Sequence, residues 1–112
     1  MGKYGPFTGG EGGEKRDHYG WAPMEGAKHY YRLGVEAIAR VETSTIRSGH
    51  FVGIPDFVSA CIDYGYAAAF LETAERGVQA GSSNETELSM MYREMTELRK
   101  RIRKMEEELI AR

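Results

Sequence analysis

The fold expected from this sequence depends on one stretch, Lys28-His29-Tyr30-Tyr31-Arg32-Leu33. Tyrosine favours β-strands, and Gly34 ends the run. Because side chains alternate between the two faces of a strand, Lys28, Tyr30 and Arg32 share one face, which is basic and aromatic. The opposite face, with His29, Tyr31 and Leu33, is mostly apolar. These residues are therefore predicted to form one short β-strand.

A lone strand of this length is not stable unless it pairs with another strand, and no second strand is evident in the chain. We therefore predict that residues 28–33 pair with the same segment of a second copy. The product is a two-stranded antiparallel ribbon shared by a homodimer.

Two helices are predicted after the strand. Residues 35–48 carry apolar side chains at spacings of three and four, and Gly49 suits the C-cap. Pro55 suits the first turn of the second helix, which fades between residues 77 and 81. Gly65 weakens that helix by about 1 kcal/mol relative to alanine, so we expect a close packing contact or a bend there.

The C-terminal residues show a heptad repeat. With flanking pairs Glu94–Arg99 and Arg101–Glu106, the repeat predicts a parallel coiled coil between copies. An antiparallel pair stays open, as does a single amphipathic helix folded back onto the core. The a and d positions are Leu88, Met91, Met95, Leu98, Ile102, Met105 and Leu109.

Four segments are expected. Residues 1–26 are a Gly-rich disordered arm, residues 27–80 the core, residues 81–84 a linker, and residues 85–112 the coiled coil. The fold class is mostly α with one short strand.

Residues 27–75 resemble the ribbon-helix-helix family of DNA-binding proteins. The resemblance is carried by the basic strand 28–33, the connector His50-Phe51-Val52 after Ser48-Gly49, and the run Asp56-Phe57-Val58 before Ala60-Cys61-Ile62. The resemblance implies that the paired ribbon enters the major groove of DNA.

On that resemblance, Lys28, Tyr30 and Arg32 read base edges, while the amides of Asp56 and Phe57 hold a phosphate at a helix N-terminus. The other implied residues form the dimer core: His29, Tyr31, Leu33, Ile38, Val41, Phe57, Val58 and Ile62.

The composition of the chain argues against several kinds of functional site. The single cysteine, Cys61, excludes an intramolecular disulfide and a four-cysteine metal site. His18, His29 and His50 are widely separated, no catalytic pattern is visible, and no apolar stretch is long enough to cross a membrane. No metal, cofactor, enzymatic activity or membrane partner is expected, and a cytoplasmic location is predicted.

Charge is uneven along the chain, whose net charge is -2. Residues 27–50 carry four cations against two acids, and residues 51–81 carry one against four. The positive charge of the predicted core thus lies around the strand, where DNA would bind.

The leading hypothesis is a sequence-specific DNA-binding regulator that acts as a dimer, or as a tetramer through its coiled coil. An antitoxin or plasmid-partition protein is a narrower variant. The alternative is a scaffold or adaptor that does not bind DNA, whose core dimerises and whose coiled coil binds a partner protein.

Overall fold

A computed structural model describes residues 22–78 and 83–111 of the chain, and these residues form three α-helices. They are α1 (Pro23–Ser48), α2 (Ile54–Arg76) and α3 (Ser83–Ile110). Residues 1–21 of the predicted arm and residues 81–82 of the predicted linker lie outside the described residues, and Ser83 and Asn84 of the linker begin α3. The last four residues of the predicted arm, 23–26, form the first turn of α1.

The predicted strand is wrong, because α1 runs unbroken through residues 28–33. Within residues 22–78 and 83–111 there is no strand, so the ribbon-helix-helix fold and the resemblance behind it are also wrong. The reason is a longer-range pattern. Ala27, Gly34, Ile38 and Val41 are buried at helical spacing on one side of α1, and this face outweighs the strand preference of two tyrosines.

Both ends of α1 are closed by local hydrogen bonds. The Ala22 amide donates to Glu25 Oε1 at 3.2 Å, and Pro23 occupies the first turn, where a missing N–H is harmless. At the other end Gly49 adopts φ 81° and donates its amide to the Thr45 carbonyl at 2.8 Å. The predicted C-cap at Gly49 is confirmed.

The hairpin of α1 and α2 is close-packed at two glycines of α1. A Cβ added at Gly34 would lie 3.2 Å from Leu98 Cδ2 and 3.6 Å from Asp63 Cβ. A Cβ at Gly26 would lie only 2.5 Å from the Phe70 ring. Gly34, interpreted from sequence as the end of a strand, is therefore a contact point among all three helices.

α3 packs on the hairpin of its own chain. Leu98 and Met105 join Ile38 and Val41 in one buried cluster, and Met91 and Met95 join Phe70 and Leu71 in another. The heptad positions that were expected to face a second copy are instead buried against the chain's own hairpin, which is the open alternative of a helix folded back onto the core. Of the seven heptad positions, five are buried and Ile102 and Leu109 are half-buried.

Polar contacts fix the three helices in register. Arg101 of α3 forms a bidentate ion pair with Glu42 of α1, in which Nη2 donates to Oε1 at 2.7 Å and Nε donates to Oε2 at 3.0 Å. Lys28 of α1 pairs with Glu87 of α3, and Tyr92 of α3 donates to Glu75 of α2 at 2.6 Å. Arg101 is thus paired within its own chain.

The Cα atoms span 51 × 37 × 18 Å. The short dimension matches two layers of helices, since packed axes lie about 8–10 Å apart. Because α3 contacts both other helices, it forms one layer and the α1–α2 hairpin the other. None of the described helices is both long and apolar enough to span a bilayer.

Candidate interaction surface

Four large apolar side chains are exposed along the outward side of α2. Ile54, Val58, Ile62 and Tyr66 are 46, 47, 51 and 43% exposed. They are spaced four residues apart, so they form one continuous row on the helix. We call this row the α2 ridge.

A row of small residues runs beside the α2 ridge. Cys61, Gly65 and Ala69 are exposed and are also spaced four residues apart. Small side chains in such a row leave a shallow depression between neighbouring ridges. We call this row the α2 groove.

No charged side chain interrupts this surface between residues 54 and 69. The only charged residues in the span are Asp56 and Asp63, and both interact with α1. Asp56 accepts a hydrogen bond from Arg40 Nε at 3.1 Å. Burial raises the pKa of the half-buried Asp63, and nearby His29 and Arg40 partly offset that rise.

α2 is apolar on its inward side as well. Ala60, Ala67, Phe70 and Leu71 are buried against α1 and α3. A helix that is apolar on all sides is normally buried on all sides. The described residues of the chain cover only one side of α2, so its exposed side has the composition of an interface.

The open space around Gly65 also indicates an interface on this side of α2. A Cβ added there would meet no atom within 4 Å, so packing among the described residues does not require a glycine. The sequence predicts a close contact or a bend at Gly65, and the described residues of this chain make no such close contact. A second helix resting on the α2 groove would make such a contact.

Cys61 is exposed on the α2 groove. Burial raises the pKa of its thiol, and the Glu106 carboxylate raises it further. The neutral thiol therefore dominates at neutral pH, and a neutral thiol is a small apolar group with low nucleophilicity. Cys61 suits packing better than catalysis.

The residues predicted to read DNA do not share one surface. Lys28 and Arg32 are exposed on α1, but the Tyr30 ring packs against the core, with its centroid 4.9 Å from that of Tyr66 and 5.8 Å from that of Phe70. The phosphate contact at the start of α2 stays a prediction, and the Phe57 amide donates to the Gly53 carbonyl at 2.9 Å. The two predicted residues instead contact the chain itself, Asp56 through Arg40 and Phe57 through an edge contact with Phe51.

The predicted dimer core is divided by the structure. Ile38 and Val41 are buried within the chain, and His29, Tyr31, Leu33 and Phe57 are half-buried. Val58 and Ile62 are the two members that stay exposed, and both belong to the α2 ridge. A dimer interface at these two residues stays a prediction.

Sequence reasoning missed two surfaces. The α2 ridge is visible in the sequence as apolar residues on both sides of one helix, at positions 54, 58, 62 and 66 as well as 60, 67 and 71. It also missed a cluster of cations in α3, where residues 99–104 contain five Lys or Arg.

The described residues contain no group of three or more His, Cys, Asp or Glu placed to hold a metal ion. No family model, curated protein or solved structure matches the chain.

Proposed function

We propose that this chain is a self-associating helical scaffold protein, in which two copies pair through the α2 ridge and the α2 groove. The observation that carries the proposal is the uncharged apolar surface of α2 between residues 54 and 69. Assembly is the function that such a surface supports, because contiguous exposed apolar surface on a small protein marks an interaction site.

The shape of the surface favours a second copy as the partner. Two helices pack well when the four-residue ridge of each fits the groove of the other, with axes crossing near −50°. The α2 ridge and the α2 groove, which together we call the α2 surface, supply both parts. A two-fold axis near Ile62 and Gly65 would place each ridge against the other copy's groove, as in a symmetric dimer interface.

Charge also favours a second copy. A partner with charged groups would have to bury them against α2 residues 54–69, which offer no free opposite charge, and an unpaired buried charge is strongly unfavourable. An identical α2 surface brings none between residues 54 and 69. The ends of the surface bear the Arg40–Asp56 and Arg76–Glu72 pairs, each already neutralised.

The dimer is expected to be weak. Full burial of an Ile or Val side chain contributes about 1.5–3 kcal/mol, and the ridge side chains are already half-buried. The loss of rotational and translational freedom offsets several kcal/mol of that gain. The dimer fraction should therefore depend strongly on protein concentration.

Sedimentation velocity over a range of protein concentrations tests the proposal. The wild type is expected to shift from monomer to dimer, and Ile62→Lys is expected to remain a monomer. Ile46→Lys is the matched control, since Ile46 is 82% exposed on α1 and lies outside the α2 surface. A wild type that stays monomeric throughout, or equal weakening by both substitutions, would contradict the proposal.

Cys61 supplies a second, local readout because it is the chain's only cysteine. Its rate of labelling by a maleimide should fall as protein concentration rises, since the second copy covers the groove. In Ile62→Lys the rate should not depend on concentration. Concentration-independent labelling of a wild type that does dimerise would place the dimer contact elsewhere.

A further inference from the structure

The outward side of α3 carries five exposed cations: Arg93, Arg99, Lys100, Arg103 and Lys104. We call this set the α3 basic band. Arg101 lies in the same stretch but turns toward α1, where it pairs with Glu42.

The band is only lightly neutralised. Lys100 pairs with Glu97 at 3.3 Å, and both side chains are mostly exposed. Among the described residues, no ion pair involves Arg93, Arg99, Arg103 or Lys104. The exposed acids Glu94 and Glu97 precede residue 99, and residues 106–108 are three exposed glutamates. Within residues 99–104 every charged side chain is a cation, so the positive charge of α3 is concentrated there.

We propose that the α3 basic band binds the phosphate backbone of double-stranded nucleic acid. Arg99 and Arg103 form one row and Lys100 and Lys104 another, with about 6 Å along the helix between members of a row. A duplex carries one negative charge per about 1.7 Å of its axis, so several members of the band can meet phosphates at once. Binding by such contacts is independent of base sequence.

The structure favours a nucleic acid over a membrane surface. A helix that binds a bilayer inserts its apolar face beside the head groups. The apolar face of α3 is already occupied, since Leu88, Met91, Met95 and Leu98 are buried against α1 and α2. Between residues 93 and 104, α3 has no exposed large apolar side chain; those of Met90, Tyr92 and Ile110 lie outside this span. A nucleic acid can pair with the cations of the band through its phosphates, and no apolar face of α3 has to insert into it.

Fluorescence anisotropy of a labelled DNA duplex, titrated with the full chain at several salt concentrations, tests the inference. With four phosphate contacts, the logarithm of the association constant should fall with the logarithm of salt at a slope of about −3.6. The double variant Arg99→Gln and Arg103→Gln should weaken binding and reduce the magnitude of the slope by about 2.

The matched control is Arg32→Gln with Arg47→Gln, which removes the same charge from exposed sites on α1. It should change affinity by no more than about twofold to threefold, because long-range attraction between exposed charges is screened by salt. Circular dichroism must show that both variants remain helical. Undetectable binding by the wild type, equal weakening by both variants, or stronger binding to anionic phosphatidylserine vesicles than to DNA would overturn the inference. The inference does not depend on the α2 dimer, since Ile62→Lys should bind duplex DNA through the same band.

Discussion

Gly26 and Gly65 are both helical glycines, but their surroundings differ. A methyl group at Gly26 would meet the Phe70 ring at 2.5 Å, whereas a methyl group at Gly65 would meet nothing within 4 Å. Gly26→Ala is expected to reduce the free energy of unfolding by about 1–3 kcal/mol through overpacking. Gly65→Ala should increase it by about 1 kcal/mol through helix propensity.

Urea unfolding at low protein concentration, where the monomer dominates, measures both effects. The two variants serve as controls for each other, because each adds one methyl group to a helix. Stabilisation by Gly26→Ala would show that α1 and α2 do not approach closely at Phe70.

Tyr92 should make stability fall at high pH. Its hydrogen bond to Glu75, with burial and the charges of Glu75 and Glu72, raises the pKa of its phenol to about 12. The neutral phenol is the form that donates, so its contribution is complete below pH 10, the ordinary tyrosine value. The contribution is lost as the pH rises from 10 to about 12.

Tyr92→Phe removes this titration and leaves the other tyrosines in place. The unfolding free energy of the wild type should therefore fall more steeply between pH 10 and 12 than that of the variant. Parallel curves for the two proteins would mean that the Tyr92–Glu75 bond does not form in solution. Chemical unfolding at fixed pH steps measures the difference.

At the scale of a single element, residues 28–33 show why local preference failed. Tyr30 and Tyr31 favour a strand, but both rings pack into the helical core. The pattern that determines the helix is the set of buried residues at helical spacing from Ala27 to Val41, which extends beyond residues 28–33. It includes small residues such as Gly34, which are easily interpreted as the end of a strand. Gly34 is buried inside a helix because a neighbouring helix needs its space.

The heptad pattern of α3 predicts part of the observed packing of this helix but not all of it. It predicts a helix and indicates which side is buried, and both features agree with the structure. Periodicity does not specify what covers the buried side. A partner helix and the chain's own hairpin satisfy the same spacing, so the identity of the covering surface needed three-dimensional packing.

Leu98→Ala tests this packing of α3. Leu98 is fully buried and lies against Gly34 of α1, so we expect a loss of about 2–5 kcal/mol in unfolding free energy. Met90→Ala is the control on the same helix, since Met90 is 53% exposed; it should change stability by less than about 1 kcal/mol. If α3 paired mainly with another copy, the loss from Leu98→Ala would change with protein concentration, and we expect that it does not.

At the scale of the whole molecule, the two proposed surfaces lie on different helices and approach each other where Glu106 of α3 lies near Cys61 of the α2 groove. The α2 ridge faces outward from the hairpin layer, while the α3 basic band faces outward from the layer that α3 forms. Pairing through α2 would therefore leave the band of each copy accessible. Such a dimer would present two bands and could bind two segments of one duplex, which would increase the overall affinity without new contacts.

The whole-molecule fold also predicts the effect of removing α3. Residues 22–78 alone would expose the buried sides of Ile38, Ala67 and Leu71, which α3 now covers. A two-helix hairpin of this size buries too little surface to be stable by itself. A chain that ends at residue 82 is expected to lose most of its helical circular dichroism and its cooperative unfolding transition. A truncated chain that unfolds cooperatively with most of its helix intact would show that the hairpin folds independently, and α3 would then be an appendage.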